Sequence, residues 1–177
     1  MAGKNEYANA LFALALEENT LDEVRLDLQA AAITLKENPD YIKLLDTPAL
    51  SKVERLSLID EAFASLNYSV TNLVKILCER HAVYTLCELS DTFGLLYDEH
   101  NGIERVEAVT AVSLSEIQRE ALIKKLSDMT GKKIVIKNKV DPEILGGVIL
   151  RYSGIQLDGS VKSRLDSFAE SLKNLNL

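Results

Sequence analysis

From Tyr7 to about Glu99 apolar residues return every three or four positions almost without a break, and at Asn101-Gly102 that rhythm stops. A chain that changes period once, a little past its midpoint, is committed to helices first and a mixed α/β unit second. The punctuation inside the helical stretch marks short helices. Thr20 to Glu23 and Ser51 to Glu54 have the spacing of capping boxes, and Asn38-Pro39 reads as an N-cap with proline at the first helical position. Helix starts near Lys4, Thr20, Asn38, Ser51, Ser69 and Thr85 give six helices with short connections, which should pack antiparallel as a bundle.

After Gly102 the β-branched content rises. Glu104 to Val112 alternates as a strand, Ser115 to Gln118 is a third capping box, and Gly131 is a left-handed helix stop. Lys132 to Val140 places Ile134 and Ile136 on one face and Lys133, Lys137 and Lys139 on the other. Strands at Gly147 to Tyr152 and Ile155 to Leu157 follow, and Ser160 opens a last helix with Val161, Leu165, Phe168 and Leu172 on one stripe. The fold class is therefore α+β: a six-helix bundle over residues 1–102, then a small α/β domain of order βαββα over 103–177.

At 177 residues and 47% hydrophobic content the chain can bury a real core. Its longest apolar runs are about ten residues, where a membrane-spanning helix needs roughly 20. The start, Met1 to Glu6, has neither a secretory signal nor the Arg-rich character of a transit peptide, so an unprocessed cytosolic chain is the simplest reading and a bacterial source is favoured over an organelle. The net charge of −7 is split unevenly. Through Arg105 there are 9 Lys and Arg against 18 Asp and Glu; from Val106 there are 11 against 9. The first part suits a basic partner and repels nucleic acid.

Chemistry is harder to find. Phosphate loops, dinucleotide fingerprints, zinc-protease motifs and nucleophile elbows are all missing from the sequence. Cys78 and Cys87, nine apart, fit neither a redox pair nor zinc spacing, and His81 and His100 stand apart from them, so structural roles are favoured over metal binding. Adjacent carboxylates such as Glu17 and Glu18 or Asp98 and Glu99 diverge by about 100° on a helix and read as solvated faces. The lysines of Lys132 to Lys139 have two readings, phosphate binding or the guarding of an exposed strand edge, and the second is preferred. No catalytic residue, cofactor site or metal site is assigned.

Two helices carry more apolar surface than one core contact uses. Between Tyr7 and Leu16 only Asn9 is polar; Tyr7, Leu11 and Leu14 form one stripe with Ala10 beside it, and Ala8, Phe12 and Ala15 form another. In the fifth helix Val70, Val74, Leu77 and His81 share a core stripe, while Ile76 lies off it, with Leu73 between and Arg80 one turn on. Either the first helix is buried centrally, or the two off-core stripes lie side by side as a groove for a partner helix.

Several segments together resemble a known family. Gly146-Gly147 leading to Arg151, then Leu157-Asp158-Gly159-Ser160, is similar to the C-terminal signature of the F-type ATP synthase delta subunit family, which includes the oligomycin sensitivity-conferring protein. Tyr7-Ala8-x-Ala10-Leu11-Phe12-x-x-Ala15-x-Glu17 resembles its opening, and Asn72-Leu73-Val74-Lys75-Ile76-Leu77 its fifth helix. The resemblance implies a non-catalytic stator subunit that resists rotor torque during proton-driven ATP synthesis, peripheral on the cytoplasmic side of a bacterial membrane. Its N-terminal domain would grip the N-terminal helix of an alpha subunit, and its C-terminal domain the b subunit stalk. The family supplies the helix pair and the periodicity the side chains: Tyr7, Ala10, Leu11 and Leu14 with Leu73, Ile76, Leu77 and Arg80. Of the signature residues Gly146, Gly147, Arg151, Asp158 and Gly159, the paired glycines are expected to serve packing and backbone geometry, because strand glycines mark close approach or a bulge. Alternatives are a helical adaptor of another assembly, or a nucleic-acid module acting through the basic C-terminal strand.

Overall fold

The computed structural model describes residues 4–47, 49–152, 154–160 and 163. It is α+β, and the chain divides into two compact units, Met1–His100 and Asn101–Leu177. In the first, α1 (Lys4–Glu17), α2 (Leu21–Glu37), α3 (Pro39–Asp46), α4 (Lys52–Ala62), α5 (Tyr68–Glu79) and α6 (Leu86–His100) follow in order, with a 3-10 turn at Val83–Thr85 leading into α6.

Local chemistry sets most of these starts, and it departs from the sequence reading at three of them. At Ser51 the capping box is complete: its hydroxyl accepts the Glu54 amide at 3.3 Å and Glu54 returns to the Ser51 amide at 2.8 Å. Those two bonds hold the Glu54 carboxyl below the usual carboxylate range. Thr20 forms no such box; its backbone is not extended, and its hydroxyl is buried without a hydrogen-bond partner. Asn38 does not cap α3 with its side chain either, since its Nδ2 donates back to the Thr34 carbonyl and serves the end of α2 instead. The fifth helix starts earlier than Ser69 because Asn67 is the cap, accepting the Ser69 amide at 2.9 Å while its own amide donates to Asp27 at 2.6 Å.

The core of this unit gathers one stripe from each helix. Ala8, Leu11 and Ala15 of α1 meet Val24, Leu28 and Leu35 of α2, Val70, Val74 and Leu77 of α5, and Leu86, Leu89 and Phe93 of α6. Phe12 turns its ring edge to Phe93 at 5.7 Å, a favourable aromatic geometry. Gly94 lets α2 close on α6: a Cβ there would lie 2.9 Å from an Arg25 guanidinium nitrogen, and that guanidinium sits over the Tyr97 ring. His81 is not part of the core stripe; it lies past the end of α5 at φ 53°, exposed and paired with Asp46.

The second unit is a four-stranded sheet with α7 (Glu116–Thr130) on one face. The strands β1 (Ile103–Thr110), β2 (Lys133–Val140), β3 (Val148–Tyr152) and β4 (Ile155–Asp158) lie in the order β2-β1-β3-β4, with β1 and β2 parallel and the rest antiparallel. Among the described residues the order is thus βαβββ: the four strands read individually from the sequence are all present, the label βαββα is one strand short, and β1 ends at Thr110, where pairing with β2 and β3 stops. Alternation sends Val106, Ala108, Ile134, Ile136 and Leu150 toward Leu126 of α7, so the parallel crossover buries one face. Asn138 locks the crossover, donating to the Ala108 carbonyl and accepting the Leu114 amide. The capping box at Ser115 and the left-handed Gly131 stand where the sequence puts them. The expected stripe of Val161, Leu165, Phe168 and Leu172 lies outside the described residues.

Gly147 explains the paired-glycine segment. At φ 87° it passes so near the end of β4 that a Cβ would meet the Gly159 carbonyl oxygen at 2.5 Å, and a Cβ on Gly159 would meet the Val148 carbonyl oxygen at 3.1 Å. Two backbones share that space, closed by the Gly159 amide donating to Val148 at 3.0 Å. Gly146, at φ 154°, precedes the crossing. Asp158 accepts the Ser160 amide, and Arg151 joins strands by donating to Gln156 and pairing with Glu107.

Two stability outcomes follow, both read by chemical denaturation. Ser51→Ala is expected to cost about 1 kcal/mol, whereas Thr20→Val, which removes an unpartnered hydroxyl, leaves stability unchanged or raised. Gly147→Ala should cost more than Gly131→Ala, whose Cβ would enter open space and bear only the roughly 1–2 kcal/mol of a left-handed alanine.

Candidate partner-helix groove

A groove of about 320 Å³ runs between α1 and α5. Its floor is Leu11 and Leu73, both nearly buried and both also members of the core. Tyr7, Ala10 and Leu14 form one wall; Tyr68, Asn72 and Ile76 form the other. Ser69 in the first turn of α5 donates to Glu18 just beyond α1, at 3.5 Å, so the C-terminal end of α1 lies beside the N-terminal end of α5. Each side follows a helical row: Tyr7, Leu14 and Glu18, with Leu11 of the floor between them, on α1, and Tyr68, Asn72 and Ile76 on α5.

The two stripes read from the first helix therefore divide. Ala8 and Ala15 are fully buried, while Leu14 is 40% exposed and Ala10 is exposed too, so α1 is not a centrally buried helix. On α5, Val70 and Val74 are fully buried, whereas Ile76 is 45% and Tyr68 75% exposed. Large apolar side chains left open along one concave line are the mark of an interaction surface.

Six of the eight side chains assigned to the groove from sequence line it: Tyr7, Ala10, Leu11, Leu14, Leu73 and Ile76. The other two do not. Leu77 is 1% exposed and packs wholly into the core, being one residue round from Ile76, and Arg80 is the exposed C-cap of α5, past the last lining residue. Glu18, Tyr68, Ser69 and Asn72 also line the groove; apolar periodicity does not reach the three polar ones, and a helix beginning at Ser69 leaves out Tyr68. With Asn67 as the cap, Tyr68 falls into register with Asn72 and Ile76.

The charge around this unit is acidic. Lys43, Lys52 and Lys75 are held by Asp40, Glu79 and Asp60, so these cations are already neutralised. Among the described residues no group of three or more His, Cys, Asp or Glu is arranged to hold a metal ion. The Cys78 thiol is buried, which pushes its pKa up, and Cys87 donates to the Ala32 carbonyl. His100 rests edge-on against the Phe12 ring.

A model of the family described as ATP synthase delta (OSCP) subunit matches residues 4–172. The chain belongs to that family. Relatives include proteins named ATP synthase subunit delta from Clostridioides difficile, 33% identical over 97% of this chain and 96% of that protein, and from Lactobacillus johnsonii, 32% identical over 95% and 93%. Another, from Leuconostoc mesenteroides, is 35% identical over 91% of this chain and 90% of its own length. A chain in the cryo-EM structure of the Toxoplasma gondii mitochondrial ATP synthase hexamer shares the fold with a TM-score of 0.71, at 23% identity, covering 97% of this chain and 98% of that one.

The division between groove and core has a direct check. Tyr68→Ala and Ile76→Asp are expected to leave stability within about 0.5 kcal/mol, whereas Leu77→Ala costs about 2–5 kcal/mol, as measured by urea denaturation.

Proposed function

We propose that this delta-family chain is the non-catalytic stator subunit of an F-type ATP synthase, holding the catalytic headpiece still against rotor torque while protons drive ATP synthesis. In this reading a six-helix N-terminal bundle takes the N-terminal helix of an alpha subunit into the α1–α5 groove, and the C-terminal domain holds the end of the b subunit stalk. The observation that carries it is the groove itself: an apolar floor of Leu11 and Leu73 between two rows of half-buried and exposed side chains, a chemistry that suits the apolar face of an amphipathic helix. Net charge supports it, since the first 105 residues carry 9 Lys and Arg against 18 Asp and Glu, and an acidic surface speeds capture of a basic terminus.

The attachment to the membrane is indirect, through the bacterial enzyme's cytoplasmic headpiece and stalk. Among the described residues no helix is long and apolar enough to cross a bilayer. The mechanical role sets the affinity scale: a tether must release far more slowly than the motor turns, which calls for low-nanomolar binding, about −12 kcal/mol. The same surface on a helical adaptor of another assembly would bind a different helix, so partner identity decides between them.

Calorimetric titration of the full chain with the alpha N-terminal peptide is the test. Tyr7→Ala, which removes an aromatic anchor, and Ile76→Asp, which puts a carboxylate against the peptide's apolar face, should each weaken binding by more than about 1 kcal/mol. Unchanged heats for both variants would overturn the groove assignment, and absence of wild-type binding at micromolar concentration would favour the other assembly.

A further inference from the structure

Of the residues that line the α1–α5 groove, Glu18 alone carries a formal charge. It stands one turn past Leu14, so the groove differs along its length: the end at Tyr7 and Ile76 is uncharged, and the other end holds a carboxylate beside Ser69 and Tyr68. The fold has little need of a charge in that place. The last turn of α1 has no basic residue, and a carboxylate just past a helix C-terminus faces the negative end of the dipole. The bond that Glu18 accepts from the Ser69 hydroxyl is long at 3.5 Å, and the side chain is exposed. Lys43, Lys52 and Lys75 of the same unit are engaged elsewhere, with Asp40, Glu79 and Asp60.

Hydrophobic contact has no direction, so an apolar floor of Leu11 and Leu73 would hold a helix either way round and in more than one register. A single carboxylate at one end removes that freedom. We propose that Glu18 is the specificity-determining residue of the groove and, resting on the reading of the groove as the seat of the alpha N-terminal helix, that it pairs with a lysine or arginine at one end of that helix's apolar stripe. From Tyr7 to Glu18 is eleven residues. At 1.5 Å per residue that is roughly 16 Å, so the stripe to be covered is about three turns long and the cation belongs just past it. A helix seated backwards, or one turn out of register, would cover Glu18 without a partner for its charge, and an unpaired carboxylate resists burial. A helix with Asp or Glu in that position is repelled outright, so the discrimination works against wrong partners as well as for the right one.

The experiment titrates the full chain, at low and high salt, with the alpha N-terminal peptide and with a copy in which the Lys or Arg closing its apolar stripe is changed to Glu. Glu18→Lys should weaken binding of the unaltered peptide by about three- to tenfold at low salt and much less at high salt, and should bind the reversed peptide better than wild type does. Glu17→Lys makes the same change in net charge one residue away, outside the groove, and should leave affinity within about twofold. Glu18→Gln keeps an oxygen for Ser69 and should fall between the two. Urea denaturation of each variant isolates a purely structural role: lowered stability with unchanged affinity would overturn the proposal. Equal losses from Glu17→Lys and Glu18→Lys would overturn it too, since only the overall field would then matter, while affinity that still depends on Tyr7 would leave the groove reading standing. Binding that responds to Glu18→Lys but ignores Tyr7→Ala and Ile76→Asp would overturn the groove reading and this proposal with it, as would a wild-type chain that does not bind.

Discussion

The helical unit depends on how α1 divides its surface. An α-helix advances about 100° per residue, so an almost wholly apolar stretch must show more than one face. Ala8, Phe12 and Ala15 are small or flat enough to let α1 settle against α6, with Phe12 fitted to Phe93. Leu11 stands at the margin of that contact and meets Leu73 of α5. Because the inner stripe is anchored, the outer one cannot roll inward, and Tyr7, Ala10 and Leu14 stay open. The groove is thus a by-product of core packing: its floor is core, and only its walls are free to change without cost to the fold.

The second unit applies a period of two to the same problem. Alternation separates an apolar set facing α7 from a charged set facing outward, and register joins the charged residues of four strands into one surface. What holds that register is backbone geometry. Gly147 lies where a Cβ would overlap the Gly159 carbonyl oxygen, and a Cβ on Gly159 would crowd the Val148 carbonyl oxygen, so the start of β3 and the end of β4 pass at backbone distance. The paired-glycine segment therefore acts at a distance, by fixing where Arg151 and Gln156 stand.

Much of this was legible in the sequence wherever one local signal was sufficient. Ser51-x-x-Glu54, Ser115-x-x-Gln118 and Gly131 each state their role within four residues, and all three hold. Thr20-x-x-Glu23 has the same spacing and fails, because the chain enters α2 straight from α1, by way of a left-handed Asn19, and the Thr20 backbone is never extended. Asn38 fails for a related reason: serving the end of one helix and the start of the next, its side chain went to the first. The groove was found by periodicity, which resolves about 100° per residue and no finer. Ile76 and Leu77 are one residue apart, and only packing shows that one is wall and the other core. Tyr68 escaped because its place depends on Asn67, whose capping is set partly by Asp27, forty residues earlier.

The charge asymmetry takes on a physical meaning at this level. A surface with an excess of one sign attracts ligands of the other at a distance, and here the acidic excess lies in the first 105 residues, with 9 Lys and Arg against 18 Asp and Glu, whereas from Val106 the balance is 11 against 9. Under the proposed function, the acidic helical unit favours a basic helix at the α1–α5 groove and disfavours an acidic one. Such steering weakens with salt over a Debye length of about 8–10 Å, whereas burial of an apolar side chain such as Ile76 under a bound helix would not. In the proposed function, capture and retention therefore rest on different atoms, the first on exposed charges and the second on the apolar floor of Leu11 and Leu73.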